Sequence, residues 1–403
     1  MTTPTSGPTA GPSVAVIGGG VLGTAVARSL AVRGARVTLY ERTRLGAGTT
    51  GTTFAWINSH SKNPRSYHDL NIAGMAEHHA LQRAADGSAP RWFFPTGNLE
   101  WAEDDAGRER LDEALGELSS RGYPLRRITQ DEARTHAPDL RIPSAVRDIA
   151  LFPEEGYVLP AALLARLWGE AREHGAELCC PAEVSGLEPA GGGVRLTLSD
   201  GTSAHFDHVV TATGRWTAHT TALAGTPVPM ADPDEAGSAT VGFLAYTGPV
   251  PTRLAPVLTT PRLNVRPEGG GRLVIQGLDL DPQADPGASY DPGGPLAKDL
   301  LGRLADLLHG TEGAWLESLR VGQRALPADG LTVAGRLRPG LPVYTVATHS
   351  GITLGPLLGR LVAEDVLTGD RDLLLEGFAP SRLTSTRAED HAPLERARFA
   401  GQQ

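Results

Sequence analysis

The sequence predicts an α/β protein, α+β overall, in which a Rossmann-like domain is interleaved with a second domain built on a mainly antiparallel sheet. Three observations lead to this prediction. Residues 14–41 show a strand–helix–strand pattern, residues 240–276 carry strands without intervening helices, and residues 342–367 return to a strand followed by a helix. The length of 403 residues supplies material for about two to three domains.

The opening unit follows from apolar periodicity and glycine placement. Residues 14–17 are an apolar run of strand length, and after three glycines the apolar residues recur at a spacing of four, as on one helix face. Gly34 ends this helix, and residues 36–40 form the second strand. Two strands and a helix in so few residues are typical of a βαβ unit with parallel strands.

The middle of the chain alternates between both element types. Further helices are predicted over residues 64–85, 106–121, 129–136, 163–174 and 296–308, and strands over 92–101, 194–199, 202–206, 208–212, 240–246, 257–265 and 272–276. The pair Asp200-Gly201 predicts a hairpin turn, and residues 208–212 are apolar enough for a buried parallel strand. Residues 279–295 read as a long loop, which is either mobile or functional. The chain ends with a strand at 342–347, a glycine-rich loop at 348–355 and a helix at 356–367.

Charge and cysteine content exclude several classes of protein. The 37 basic and 46 acidic residues give a net charge of −9 without long runs of like charge, so we expect no nucleic-acid partner. Cys179 and Cys180 are adjacent and show no metal-binding spacing, so neither a disulfide framework nor a metal site is predicted. Residues 1–13 read as a disordered tail rather than a signal peptide, and no apolar run reaches membrane-spanning length. We therefore expect a cytoplasmic protein without membrane contact; its oligomeric state stays open.

A glycine motif at the start of the first helix predicts a dinucleotide site. The G-x-G-x-x-G glycines are Gly18, Gly20 and Gly23. Such glycines make a tight turn, admit a pyrophosphate to the backbone and let helix and strand pack closely. The helix N-terminus at Val21 and Leu22 offers N–H groups and partial positive charge to phosphates. Glu41, 18 residues after Gly23, can bind ribose hydroxyls and would repel a 2′-phosphate, which disfavours NADP.

The residues after Glu41 favour FAD over NAD. The small-residue loop 46–53 suits a second approach to a pyrophosphate, where further regular βα repeats would be usual for NAD dehydrogenases. The strand 208–212, followed by Thr213 and Gly214, has the form of a second dinucleotide contact.

With these motifs the chain resembles the D-amino-acid oxidase superfamily of FAD-dependent oxidoreductases, especially its glycine oxidase and sarcosine oxidase branch. Four blocks carry the resemblance in the family's order: residues 14–41, 156–160, 209–216, and the C-terminal region with 322–324, 329–330, 342–347 and 349–356. It implies an FAD-binding domain made of residues 14–84, 151–225 and 321–403, and a substrate domain made of 85–150 and 226–320.

The resemblance also implies roles for single residues. Glu41 would hold the adenosine ribose with Arg42 nearby, Thr49 and Thr50 would contact the pyrophosphate, and the backbone of Val184 would contact adenine.

A second group of residues matches the family at the flavin ring. Gly351, Ile352 and Thr353 correspond to the loop whose N–H groups approach the flavin pyrimidine edge, where a helix N-terminus would stabilise negative charge on the reduced ring. Family members with covalent flavin carry a Cys or His at positions where residues 318–329 and 52–56 have none, so we expect non-covalent FAD.

Arg324 is the principal candidate for substrate binding. In the glycine oxidase pattern an Arg at this position clamps the substrate carboxylate, and a planar guanidinium suits bidentate binding. The alternative is a structural Arg, paired with Asp329 or on a solvated face. Ala325 stands where the family often has Pro, a departure from the pattern.

Two further side chains are candidates for the catalytic site. His349 could sense or move a proton near the flavin, or be a hydrogen-bonded loop histidine. Tyr246 could line the substrate pocket, or be an ordinary core or surface aromatic.

The predicted activity is oxidation of the C–N bond of an amino acid or related amine by hydride transfer to FAD, giving an imine and then an oxo acid, with O₂ reduced to hydrogen peroxide. Alternatives are an FAD dehydrogenase that uses another acceptor, a biosynthetic tailoring oxidase for a secondary amine, a non-catalytic flavin-binding module and an NAD dehydrogenase. The expected partners are therefore a small-molecule amine or amino acid and O₂.

Overall fold

The computed structural model describes residues 11–85 and 90–397. Its α-helices within these ranges are α1 (Val21–Val32), α2 (Arg65–Ala84), α3 (Asp105–Ser120), α4 (Gln130–His136), α5 (Pro160–Glu173), α6 (Thr217–Ala222), α7 (Pro295–Leu307) and α8 (Gly351–Thr368). Its strands are β1 (Ser13–Ile17), β2 (Arg36–Tyr40), β3 (Trp56–Ile57), β4 (Phe93–Phe94), β5 (Asn98–Glu100), β6 (Arg126–Ile128), β7 (Ile149–Phe152), β8 (Gly156–Val158), β9 (Glu177–Cys179), β10 (Val184–Ala190), β11 (Gly193–Leu198), β12 (Ser203–Phe206), β13 (His208–Thr211), β14 (Val241–Thr247), β15 (Val257–Thr259), β16 (Asn264–Gly269), β17 (Arg272–Gln276), β18 (Leu316–Gln323), β19 (Val333–Arg336) and β20 (Val343–Ala347).

The chain divides into two compact units, each made of separate segments. Unit 1 comprises residues 1–50, 161–231 and 325–392, and unit 2 comprises 51–160, 232–324 and 393–403. These limits differ from the predicted domain boundaries at 84, 150, 225 and 320, and the predicted roles of the two domains stay predictions. Helix α2 belongs to unit 2 because its Gln82 side chain bonds the backbone of Phe93 through both its amide oxygen and its amide nitrogen.

Unit 1 is built on a six-stranded sheet in the order β19-β20-β13-β1-β2-β9. The five strands from β20 to β9 are parallel, and β19 runs antiparallel at the edge. The chain leaves β1 toward β2 on one side and later returns to β13 on the other side, so the strand order reverses beside β1. In sheets of this kind, ligands bind at the carboxyl ends of the strands near such a reversal. The mixed α/β fold and the parallel strand at 208–212 are confirmed.

A three-stranded antiparallel sheet, β10-β11-β12, completes the sheet structure of unit 1. The predicted hairpin turn joins β11 to β12, with Gly201 at φ +86° and the Thr202 N–H donating to Asp200 Oδ1 at 2.9 Å. One apolar cluster connects this sheet with the main sheet, and it includes Ala15, Val209, Val343, Val194 and Leu196.

Unit 2 is built on an eight-stranded sheet in the order β18-β14-β17-β16-β15-β5-β7-β6. All neighbouring pairs are antiparallel except β15 with β5, which confirms the mainly antiparallel sheet. A smaller antiparallel sheet has the order β3-β8-β4. The main apolar core of unit 2 lies on one face of the large sheet and is contributed by residues such as Val241, Phe243, Ala245, Val265, Ile275 and Leu319.

Several sequence predictions need correction in detail. The run 92–101 is two strands, β4 and β5, which belong to different sheets. The run 257–265 is two strands, β15 and β16, because residues 260–263 form a turn closed by the Thr260 hydroxyl and the Leu263 backbone. The loop 279–295 contains a 3₁₀ helix, Leu278–Gln283. The predicted tail 1–13 ends too late, since Ser13 begins β1 and the Pro12 carbonyl accepts the Arg36 N–H at 3.0 Å; residues 1–10 lie outside the described ranges.

Candidate functional site

The loops that follow β1, β13 and β20 share one edge of the unit 1 sheet, because these strands are parallel neighbours. Helix α1 begins directly after the first loop and α8 directly after the third. Two helix N-termini, each with partial positive charge, therefore start from the carboxyl edge of one sheet.

The three motif glycines fit their expected tasks. Gly18 has φ +107°, and an added Cβ would lie 2.5 Å from the Ala212 carbonyl oxygen. An added Cβ on Gly23 would lie 1.8 Å from the Gly18 carbonyl oxygen, so only glycine permits this helix–strand contact. A Cβ on Gly20 would meet only Thr50 Oγ1, at 3.2 Å. Gly20 is the N-cap of α1 and brings no side chain to the first turn, which leaves the backbone accessible to a phosphate.

The loop after β2 supports this turn through Thr50. Its Oγ1 accepts a hydrogen bond from the Val21 N–H at 3.1 Å. Thr49 lies beside a cation, since its Oγ1 is 3.5 Å from Arg215 Nη1. The predicted hydroxyl residues thus lie at the first turn of α1 and beside a guanidinium.

Arg215 and Trp216 were not singled out as site residues from the sequence. The Arg215 guanidinium lies 3.9 Å from the centroid of the Trp216 ring, and that of Arg42 lies 4.7 Å from it. Arg42 also lies 3.7 Å from Glu183, with both side chains about half exposed. Two guanidinium groups at one indole ring place positive charge near Thr49, as a pyrophosphate requires. The sequence held one signal for Arg215, because this residue directly follows Gly214, which was predicted to contact the dinucleotide.

The carboxylate of Glu41 is oriented by backbone donors. Its Oε2 accepts the Gly19 N–H at 2.8 Å, and its Oε1 accepts the Thr43 N–H at 2.8 Å. These bonds fix the carboxylate beside the glycine loop and leave acceptor capacity for a diol.

Thr213 supplies a buried hydroxyl without a partner. Its Oγ1 is inaccessible to solvent and has no hydrogen bond among the described residues. It follows Ala212, whose carbonyl packs against Gly18, and precedes Gly214 at φ +56°. Buried hydroxyls are normally paired, so this one indicates a missing ligand atom. Val184 is buried at the start of β10, beside an irregularity in the pairing with β11.

Helix α8 begins five residues earlier than predicted. Gly351, Ile352 and Thr353 form its first turn, after Ser350 as N-cap, and Pro356 lies inside the helix rather than at its start. The helix packs closely on α1, since a Cβ on Gly355 would lie 2.8 Å from the Val21 side chain. Residues 351–353 therefore present the helix N-terminus predicted for the flavin ring, and His349 lies half-buried two residues before it.

The residues of unit 1 fit a dinucleotide such as FAD. Three features are arranged to contact a ligand: the open backbone turn at Gly20, the oriented carboxylate of Glu41 and the unpaired hydroxyl of Thr213. The groups expected to bind a pyrophosphate, a ribose and a flavin all come from loops of one sheet edge.

In unit 2, the face of the large sheet opposite the apolar core is polar although it is buried. Its side chains alternate with those of the core along each strand. Its buried members include Asn264, Arg266, Gln276, Thr259 and Asn98. Tyr246 lies on this face, and Arg320 lies 5.4 Å from the centroid of its ring. A buried polar face on a strand is costly unless it serves a ligand, so we take it as the candidate substrate surface.

Arg324 is held by protein groups. Its Nη1 donates to the carbonyl oxygens of Ala239 at 2.9 Å and Val241 at 2.5 Å, and its Nη2 donates to Asp281 Oδ2 at 3.2 Å. Asp281 is buried, and its other oxygen accepts the Phe243 N–H at 2.9 Å. Burial raises the pKa of Asp281, and the Arg324 charge opposes that rise.

The alternative prediction was that Arg324 is a structural residue paired with Asp329. No such ion pair is present within the described residues. Asp329 Oδ2 binds Arg382 Nε at 2.6 Å instead. The role of Arg324 as a carboxylate ligand stays a prediction, and both N–H groups of its Nη1 are already used.

A buried cluster of ionisable groups in unit 2 was missed. Glu155 accepts hydrogen bonds from Tyr123 at 2.6 Å and Trp56 at 2.9 Å, and its Oε1 lies 3.2 Å from His60 Nε2. His60 Nδ1 in turn lies 3.5 Å from Glu100 Oε2. Its members are scattered over residues 56–155 and show no motif spacing, so the sequence held no signal for it.

Burial sets the ionisation of this cluster. Desolvation lowers the pKa of His60 to about 3, raises that of Glu100 to about 8 and raises that of Glu155 well above its ordinary value. Desolvation also lowers the pKa of Lys62 to about 8. Burial therefore favours the protonated form of both carboxyls and the neutral form of His60.

The described residues contain no group of three or more His, Cys, Asp or Glu side chains placed to hold a metal ion. None of the helices described here is both long enough and apolar enough to span a bilayer.

The sheet, the glycine turn and the oriented acid define an α/β oxidoreductase of the dinucleotide-binding class. A family model described as FAD dependent oxidoreductase, DAO, matches residues 13–365. The chain belongs to this family, which makes it an FAD-dependent flavoenzyme, and the sequence resemblance is confirmed.

Comparisons with individual proteins agree with this assignment. The chain is 28% identical over 384 residues to a glycine oxidase from Geobacillus kaustophilus, covering 92% of this chain and 96% of that one. The crystal structure of glycine oxidase from the same organism superposes with a TM-score of 0.79 at 24% identity, covering 93% and 99%. Subunit A1 of anaerobic glycerol-3-phosphate dehydrogenase from Haloferax volcanii is 32% identical over 234 residues, 54% of this chain and only 38% of that protein.

Proposed function

We propose that the chain oxidises the C–N bond of an amino acid or a related amine, giving an imine that water hydrolyses to an oxo acid. The observation that carries this proposal is the buried polar face of the unit 2 sheet, where Asn264, Gln276 and the fully buried Arg266 replace apolar side chains. The similarity to glycine oxidase along nearly the whole of both chains supports the same class of substrate.

When bound, FAD accepts two electrons as a hydride from the carbon next to the substrate nitrogen. The C–H bond breaks with its electron pair, the nitrogen lone pair forms the C=N bond, and the nitrogen releases one proton. The protein then has to bind a neutral amine in one orientation and exclude water from it. We assign FAD to the unit 1 residues described above and the amine to the polar face of unit 2.

Tyr246 and His349 remain the proposed polar contributors. Burial raises the pKa of Tyr246, so its phenol is protonated at neutral pH and can donate a hydrogen bond to a substrate oxygen. His349 precedes the N-terminus of α8, where a neutral imidazole could accept or return a proton.

We propose O₂ as the electron acceptor and hydrogen peroxide as the second product. The similar proteins include both a glycine oxidase and a dehydrogenase, so a dehydrogenase with another acceptor is the alternative. Peroxide formed in equal amount to consumed amine under air supports the oxidase. Substrate-reduced flavin that persists in air supports the dehydrogenase.

We also propose that FAD is held without a covalent bond. Cys179 and Cys180 lie at the end of β9 and directly after it. Acid precipitation should leave all flavin in the supernatant, and yellow pellets would contradict the proposal.

Anaerobic titration of the purified holoenzyme tests the reaction itself. Amino acids and N-alkyl amines are added in turn, and bleaching of the flavin absorption band identifies the substrate class. Full reduction by dithionite with no reduction by any amine would overturn the proposal and favour a non-catalytic flavin-binding module.

A further inference from the structure

The polar face of the unit 2 sheet carries a row of three side chains on neighbouring strands. Arg266 on β16 pairs with Val274 on β17, and Val274 pairs with Tyr246 on β14. Residues directly opposite each other in antiparallel strands lie on one face with Cβ atoms about 5 Å apart. Arg266 and Tyr246 therefore share a face, separated by a single fully buried valine.

The Arg266 guanidinium is fully buried and only partly paired. Its Nε donates to the Phe54 carbonyl, and its Nη1 donates to the Pro267 carbonyl at 2.7 Å and to the Glu268 carboxylate. Its Nη2 is inaccessible to solvent and has no hydrogen-bond partner within the described ranges. An unpaired N–H of a buried cation is among the most costly arrangements in a protein interior. Its two N–H groups are free for an acceptor.

The surroundings of Arg266 carry excess positive charge. The guanidinium lies 5.9 Å from the Phe54 ring centroid and 5.8 Å from that of Tyr157. The positive charges of Arg266 and Arg320 lower the pKa of Tyr246, the negative charge of Glu268 raises it, and burial raises it most. Two cations and one anion near the same phenol leave a net positive charge, which suits an anionic ligand.

Arg324 does not offer the same opportunity. Two backbone carbonyls occupy its Nη1, and Asp281 pairs with its Nη2. A ligand carboxylate would have to displace bonds that hold β14 and the 3₁₀ helix together, whereas Arg266 Nη2 has no bond to lose.

We propose that Arg266, through Nη2, binds the carboxylate of the amine substrate. The assignment rests on the proposed amine oxidation and makes the substrate an amine that bears a carboxylate. The Phe54 carbonyl and Glu268 fix the position of the guanidinium itself. Because Nη2 is inaccessible to solvent, neighbouring side chains must move to admit the carboxylate, which then binds in a site lined by aromatic rings. Protein groups already bind Nε and Nη1, so the carboxylate accepts hydrogen bonds from Nη2 alone.

The test compares pairs of substrates in the holoenzyme. Each pair consists of an amino acid that reduces the flavin and the amide of the same amino acid. Arg266→Met should lower the ratio of kcat/KM for acid over amide on the order of 100-fold, because it removes the cation and keeps an unbranched side chain that fills part of the same space. The control is Arg272→Met, which breaks an exposed Arg–Glu pair with Glu317 in the same sheet and should leave the ratio unchanged. An unchanged ratio in Arg266→Met overturns the assignment.

Loss of Arg266 could prevent folding, because its bonds hold Phe54. In that case Glu268→Gln tests the proposal instead, because Glu268 is partly exposed and competes with a ligand for the guanidinium charge. This variant should bind propionate more tightly than the wild type, measured as the increase in Tm with propionate relative to propionamide. Equal or weaker propionate binding would overturn the proposal.

The propionate measurement also separates this inference from the proposed function. Propionate has no amine to oxidise, so its binding does not depend on turnover. Propionate binding that depends on Arg266, in an enzyme that no amine reduces, would retain the anion site and refute the amine oxidation. Flavin reduction by amines without any effect of propionate would retain the amine oxidation and refute the anion site at Arg266.

Discussion

Thr50 Oγ1 accepts a hydrogen bond from the Val21 N–H at 3.1 Å. Val21 begins α1, and Thr50 is the last residue of the first segment of unit 1. One side chain therefore fixes the loop after β2 against the helix N-terminus that the glycine motif leaves open. This arrangement presents the loop hydroxyls and the helix to the same phosphates.

Thr50→Val should weaken FAD binding and leave the fold intact. Valine keeps the shape and loses the acceptor, which leaves the Val21 N–H without its partner. Loss of one such bond costs roughly 1 kcal/mol, or about fivefold in Kd. Titration of the apoprotein with FAD, followed by flavin fluorescence, measures the change. Thr38→Val on β2 is the control, and equal Kd values for the two variants would contradict the role of Thr50.

Gly20 and Gly23 should respond differently to alanine. Gly23→Ala places a Cβ 1.8 Å from the Gly18 carbonyl oxygen, so α1 and β1 must separate and the protein should lose its fold. Gly20 has φ −81°, which alanine tolerates, and its Cβ has only the Thr50 hydroxyl at 3.2 Å. Gly20→Ala should therefore fold, with a far-UV circular dichroism spectrum like the wild type, and bind FAD at least tenfold more weakly (on the order of 1.4 kcal/mol). Wild-type FAD affinity in Gly20→Ala would show that no phosphate approaches this backbone.

The dinucleotide half of the site could be predicted because its chemistry depends on the backbone of consecutive residues. Gly18, Gly20 and Gly23 work at fixed spacing within one turn, so their pattern is visible in the sequence. The strand ends at Glu41 and Thr213 follow from apolar runs of strand length. The early start of α8 was missed because proline is typical of the first helical position, whereas Pro356 lies in the second turn of this helix.

The substrate half could be predicted only in outline. Arg266, Val274 and Tyr246 come together through strand register, which no local pattern specifies. The sequence offered Tyr246 as a pocket residue or as an ordinary core or surface aromatic, and it did not show which face of β14 is apolar. The partners of Arg324 likewise come from the distant residues Ala239, Val241 and Asp281, so its bonds could not be inferred from the segment around it.

Arg215→Met should weaken FAD binding in a salt-dependent way. Arg215 lies beside Thr49 and the Trp216 ring, where a cation can attract a pyrophosphate. Loss of one phosphate contact should raise the Kd for FAD several-fold at low salt, with a smaller difference at high salt because screening weakens the wild-type attraction. Calorimetric titrations at two ionic strengths measure this. Arg195→Met, on the exposed side of β11, is the control, and a difference that does not depend on salt would assign Arg215 to packing on Trp216 alone.

The buried Glu100 carboxyl should make stability decrease with rising pH. Its pKa is raised from 4.5 to about 8 by desolvation. Below pH 4.5 the carboxyl is protonated in both the folded and unfolded states, and its full contribution to stability is present. Between pH 4.5 and 8 the unfolded chain ionises while the folded chain keeps the proton, so the free energy of unfolding falls as pH rises.

Glu100→Gln should reduce the decrease in the free energy of unfolding with rising pH. Between about pH 7 and 7.5 His60, with its pKa lowered from 6.5 to about 3, is mainly neutral in both states, and Lys62, with its pKa lowered to about 8, is mainly charged in both. Glu100 should then contribute a slope on the order of 1 kcal/mol per pH unit, which glutamine removes. Urea unfolding at saturating FAD, followed by far-UV circular dichroism, gives the slopes. Glu109→Gln, at an exposed position of α3, should keep the wild-type slope. If Glu100→Gln keeps it as well, then Glu100 is already ionised in the folded protein at these pH values, which would contradict its raised pKa.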